Sequence, residues 1–170
     1  MKRFLIAAIS LILLSGCATA EEANSGFSAS DINFAEMMIP HHEQAIEMAD
    51  IAFKNTTNSE VLQLAQEIKD AQEPEINLMK SWPGVMESTH AGHMMDGMLS
   101  EDELGALREA RDAEFDRLFL QGMIKHHQGA IEMAMDVKDS KNKVVADLSA
   151  AIIKQQEIEI AAMNELLLKR

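Results

Sequence analysis

FAEMMIPHHEQAIEMA, residues 34–49, returns as FLQGMIKHHQGAIEMA at residues 119–134, 85 positions further on and identical at ten of the sixteen places. The shared places are a phenylalanine, Met-Ile, His-His and Ala-Ile-Glu-Met-Ala. A second match follows each copy at a spacing of 84. Ile68, Gln72, Glu73, Glu75, Ile76 and Met79 lie over Ile152, Gln156, Glu157, Glu159, Ile160 and Met163. Two segments that recur in the same order are an internal duplication.

Both copies carry a helical period. With His41 at zero and a turn of 100° per residue, Phe34, Met37, Met38, Gln44, Ala45, Met48, Ala49 and Ala52 fall within about 80° of it, while Glu43, Glu47 and Asp50 fall outside. The pattern predicts helices over roughly 31–54, 58–82, 101–111, 113–138 and 140–168. Thr57-x-x-Glu60 and Ser100-x-x-Glu103 read as capping boxes, and Pro83-Gly84 as a stop. Pro40 and Pro74 fall inside helices and are expected to kink them. Their repeat mates are Lys125 and Ile158, so a kink is not obligatory to the fold. The sum is an all-α chain: a four-helix bundle of two duplicated hairpins, 31–82 and 113–170, joined by a long crossover at 83–112.

The 170 residues hold 15 Lys+Arg against 28 Asp+Glu, a formal charge of −13 that disfavours a nucleic-acid partner. The single cysteine excludes a disulfide framework, a thiolate zinc site and an iron–sulfur cluster. That cysteine ends an export signal. Lys2 and Arg3 precede an apolar run at 4–14, too short to span a bilayer comfortably, and Leu14-Ser15-Gly16-Cys17 resembles a bacterial lipoprotein site. Residues 1–16 are expected to be removed and Cys17 to be lipidated. Residues 17–30 then read as a flexible tether to the membrane, on the periplasmic face of the cell envelope.

Thirteen methionines and six histidines remain to be explained. Met37 with His41, and Met38 with His42, stand at i, i+4 on one helix face. Met123 and His127 repeat the second pair, whereas Gly122 takes the place of Met37 and leaves His126 without a mate. Met48 and Met133 lie two turns further along the same stripes. On the second helix of each hairpin, Gln72, Glu75 and Met79 recur as Gln156, Glu159 and Met163. A carboxylate on an apolar stripe needs a partner, and these groups fit either a structural bridge between helices or a bond that orients a metal-binding histidine. Glu47 and Glu132 face away and are set aside. The crossover carries His90, His93, Met94, Met95 and Met98 within nine residues. Thioether and imidazole together suit copper, Cu(I) above all, whereas calcium and magnesium take oxygen.

The quoted segments, with AQEIKDAQEPEINLM and AAIIKQQEIEIAAM, resemble the domain-of-unknown-function 305 family (DUF305) over most of residues 31–168. The resemblance implies a ferritin-like four-helix bundle exported to the envelope, with some members binding copper and supporting copper tolerance. It does not imply an enzyme, and the E-x-x-H motifs of di-iron bundles do not appear in the paired helices. The expected function is copper sequestration or buffering, with copper ions as ligand, no organic cofactor, and a copper-delivery protein as a further partner. Two other readings stay open: a structural or interaction bundle of the periplasm, and a metal-dependent oxidase.

Overall fold

The computed structural model describes residues 26–86 and 95–169. Among these residues five helices follow one another: α1 (Ala29–Asn55), α2 (Ser59–Lys80), α3 (Glu101–Glu109), α4 (Asp112–Met135) and α5 (Lys143–Leu168). Among the described residues there is no strand, and no helix is long and apolar enough to cross a membrane. The export signal, Cys17, His90, His93 and Met94 lie outside the described residues.

The chain is all-α. α1 packs along α2 and α4 along α5, and the two hairpins meet chiefly where α1 lies against α4. Several helix ends are where the local chemistry places them. Ser100 and Glu103 form the expected capping box of α3. α1 starts two residues earlier than its period predicts, because Ser28 and Asp31 form a second capping box. Thr57 is not the cap of α2. Asn58 is, accepting from the Glu60 amide at 3.1 Å while its own side chain donates to Asp116 Oδ2 at 2.9 Å. α4 stops at Met135 rather than 138, in a turn over 136–139. α1 and α2 run unbroken through Pro40 and Pro74.

The apolar interior is in two parts. One holds Met48, Ala49, Leu64, Ile68, Phe115, Phe119, Met123 and Met163; the other holds Phe34, Met38, Ile76, Met79, Ala130 and Ile152. On each of the four long helices the change from one part to the other falls at a buried polar residue. These are His41 and His42 on α1, Gln72 on α2, His126 and His127 on α4, and Gln156 with Glu159 on α5. A polar layer therefore crosses the middle of the molecule.

Candidate metal centre

The layer is built twice by the same hairpin. His42 Nε2 lies 2.8 Å from Glu75 Oε2, and its repeat mate His127 Nε2 lies 2.6 Å from Glu159 Oε2. His41 and His126 meet between the hairpins, ring centroids 3.8 Å apart and planes tilted by 43°. All four histidines are fully buried.

Hydrogen bonding settles which ring nitrogen is free. A carboxylate accepts, so in neutral His42 and His127 the proton sits on Nε2 and the lone pair on Nδ1. His41 is set the same way by the Asp96 carbonyl oxygen, 3.2 Å from its Nε2. The Nδ1 atoms of all four rings are buried and without a hydrogen-bond partner, as are Nε2 of His126 and both amide atoms of Gln72 and Gln156. Buried polar atoms are nearly always paired, and a single orphan costs about 1–3 kcal/mol. Such a concentration of them in one layer is unusual for a buried interior.

Electrostatics keep the central pair neutral. Burial pushes the His41 pKa down to about 3, helped by the proximity of His42 and His127 and opposed by the Asp96 carbonyl. Burial, with the other three histidines, holds His126 well below the usual imidazole range, against a smaller opposing effect of the His41 main chain. A neutral imidazole is the form that binds metal.

The predicted donors separate into groups. Met38, Met48, Met79, Met123 and Met163 are fully buried beside the layer, and Met133 is half-buried. Met37 turns away: half-buried, its sulfur accepts from Asn33 Nδ2 at 3.8 Å, so it does not join His41 at the centre. Met95 and Met98 are half-buried in the crossover. Glu47 and Glu132 are exposed, Glu47 pairing with Arg108. Among the described residues, no three His, Cys, Asp or Glu side chains already converge as a metal-binding set. The layer as folded offers paired nitrogens with carboxylates behind them.

The crossover's part in the site is invisible to the period of the helices. Buried Gln44 holds Leu99 by both main-chain groups, donating to its carbonyl at 2.9 Å and accepting from its amide at 2.8 Å. Gly97 has φ +86°, a value that favours glycine, and it rests on the backbone of Gly129. A Cβ at Gly129 would stand 2.0 Å from the Asp96 carbonyl oxygen. Gly122 similarly makes room for Leu99, whose Cδ2 would lie 3.1 Å from an added Cβ. The available signal was the pair of glycines that break the repeat, Gly122 over Met37 and Gly129 over Gln44.

An antiparallel pair of duplicated hairpins with histidines facing across its centre defines a class of helical protein. The chain belongs to the DUF305 family: the profile described as domain of unknown function (DUF305) matches residues 31–167. It is similar to a DUF305 fragment from Deinococcus radiodurans, with 29% identity, 84% of this chain and 98% of that one covered, and a TM-score of 0.74. A DUF305 protein from Streptomyces coelicolor gives 30%, 82%, 93% and 0.74 for the same quantities. A protein named CopM, solved in a Cu(I)-bound form, gives 33%, 82%, 96% and 0.66. No curated protein matches the chain significantly.

Proposed function

We propose that the protein binds copper ions in the bacterial envelope and sequesters or buffers them, using the duplicated histidine layer as its interior site. The observation that carries this reading is the layer of buried imidazole nitrogens with no partner, held by Glu75 and Glu159 in the tautomer that a metal needs. Nitrogen and thioether donors favour Cu(I), and the two carboxylates behind the rings offset the charge of a buried cation. CopM, of which this chain covers 96%, has been solved with Cu(I), with Cu(II) and with silver, which supports the same ligand class here.

The further parts of the reading rest on the sequence. Lys2, Arg3, the apolar run and Cys17 support export and a lipid anchor. The four long helices, paired as hairpins around a long crossover, support a ferritin-like bundle. We read the protein as a binder rather than an enzyme, because both carboxylates of the layer are spent on histidines. A delivery protein would be the source of the metal.

The test is titration of the protein with Cu(I) against a competing chelator. Loss of bound copper on changing His41 and His126 to Ala is expected; copper binding indifferent to these changes would remove the interior site.

A further inference from the structure

The histidine layer is walled by helices, but beside His41 the crossover lies against it in a turn at 96–97, closed by a Met98 N–H to Met95 carbonyl bond of 3.1 Å. Asp96 is exposed, and Met95, Gly97 and Met98 are half-buried, yet the Asp96 carbonyl lies 3.2 Å from the fully buried His41 ring. Asp96 thus joins the buried imidazole, through its carbonyl, to the exposed surface. Among the described residues, this strap is seated by the His41–Asp96 bond, the two bonds between Gln44 and Leu99, and the packing of Leu99 over Gly122 and into the apolar interior. At Gly97 and Gly129 it touches α4 backbone to backbone, with no side chains interlocked.

We infer that segment 95–99 is the entrance through which a soft monovalent metal ion reaches His41 and His126, with Met95 and Met98 as thioether ligands on its outer side. The inference rests on the proposed copper binding and adds the route. Separating two long helices exposes apolar core and approaches the cost of global unfolding. Lifting the strap breaks a handful of hydrogen bonds and uncovers one leucine, which places it among the low-energy local openings of the molecule. The same motion removes the carbonyl from His41, freeing both nitrogens of that ring next to the already unpartnered His126. A cation held by the thioethers of Met95 and Met98 would then exchange onto imidazole nitrogen, with no change of oxidation state.

Gln44 is the positioning residue of this entrance. The experiment measures Cu(I) transfer from a chromophoric chelator by stopped flow, at metal concentrations where the rate no longer rises, together with hydrogen exchange at the Leu99 amide. Gln44→Ala should accelerate both by about tenfold, the loss expected for two hydrogen bonds, and leave the amount of bound copper unchanged. Gly129→Ala, which cannot keep the strap seated, should act in the same direction. Faster exchange at Leu99 with an unchanged uptake rate would overturn the entrance, and so would unchanged exchange in both variants. Failure of the unaltered protein to bind Cu(I) at all would instead overturn the copper reading, and the equilibrium stoichiometry tells the two apart.

Discussion

His41 and His126, 85 positions apart and equivalent in the duplication, face each other ring to ring at 3.8 Å in the centre of the molecule. Two neutral imidazoles so placed, one with both nitrogens unpartnered, are costly for a metal-free core. His126→Leu should therefore raise the stability of the metal-free protein by about 1–2 kcal/mol, because it removes two orphaned polar atoms from an apolar setting. The same variant should lose the copper-dependent rise in Tm. Urea denaturation with and without Cu(I) checks both. A variant less stable than its parent in the absence of metal would mean that the ring is held for packing.

The two histidine–carboxylate bonds are equivalent in sequence and unequal in depth. The Glu75 side chain retains 18% of its exposure and that of Glu159 only 5%, and Glu159 also accepts from Gln155 Nε2 at 2.9 Å. Glu159→Leu leaves a buried N–H of His127 with nothing to bond and should cost about 1–3 kcal/mol. Glu75→Leu should cost less than about 1 kcal/mol, since water can replace the carboxylate. Each should weaken copper binding by about 10–100-fold through loss of ring orientation. Equal destabilisation by the two would contradict the depth argument.

The duplication and the helices were legible because both are local in the chain: identical residues at fixed spacing and a steady apolar period. The start of α2 was not, since Asn58 outranks Thr57 as cap through a bond to Asp116, 58 positions away. Nor was the pairing of donors on α1. Helical phase puts Met37 beside His41, but Met37 instead meets Asn33 one turn back on the same helix, while tertiary packing gives His41 to Asp96 and His126. The asymmetry between the repeats had a cause that only the structure supplies. One crossover serves two hairpins, so Gln44 grips it while its mate Gly129 makes space for it.

Acid should unfold the metal-free protein earlier than its carboxylates alone would. His41 titrates at about 3 when folded and His126 is also held well below its ordinary value, whereas both take up protons near pH 6.5 when unfolded. In that interval the unfolded chain binds more protons, so stability falls as pH drops from about 6.5 toward 3 and is unaffected by these rings above it. Urea midpoints between pH 7.5 and 4.5 should show this slope. A variant carrying His41→Asn and His126→Leu should show a flatter one, and an unchanged slope would assign the acid sensitivity elsewhere.

Methionines beside the layer can be separated from ordinary core by a change that keeps volume and removes sulfur. Met123 precedes His127 by four residues and Met163 follows Glu159 by four, so the antiparallel hairpin sets the two thioethers level, one turn from the His127–Glu159 bond. Met38 and Met79 hold the same positions about His42 and Glu75. All four are fully buried. Leucine at any one of them should shift stability by less than about 1.5 kcal/mol, as exchanges of similar volume do. Leucine at both Met123 and Met163 should nevertheless weaken Cu(I) retention against a chelator by about tenfold and leave Cu(II) binding unaltered, because thioether sulfur favours the softer ion. Chelator competition with each oxidation state is the measurement. Cu(I) retention that survives both substitutions would return these methionines to the core and leave the histidines to bind alone.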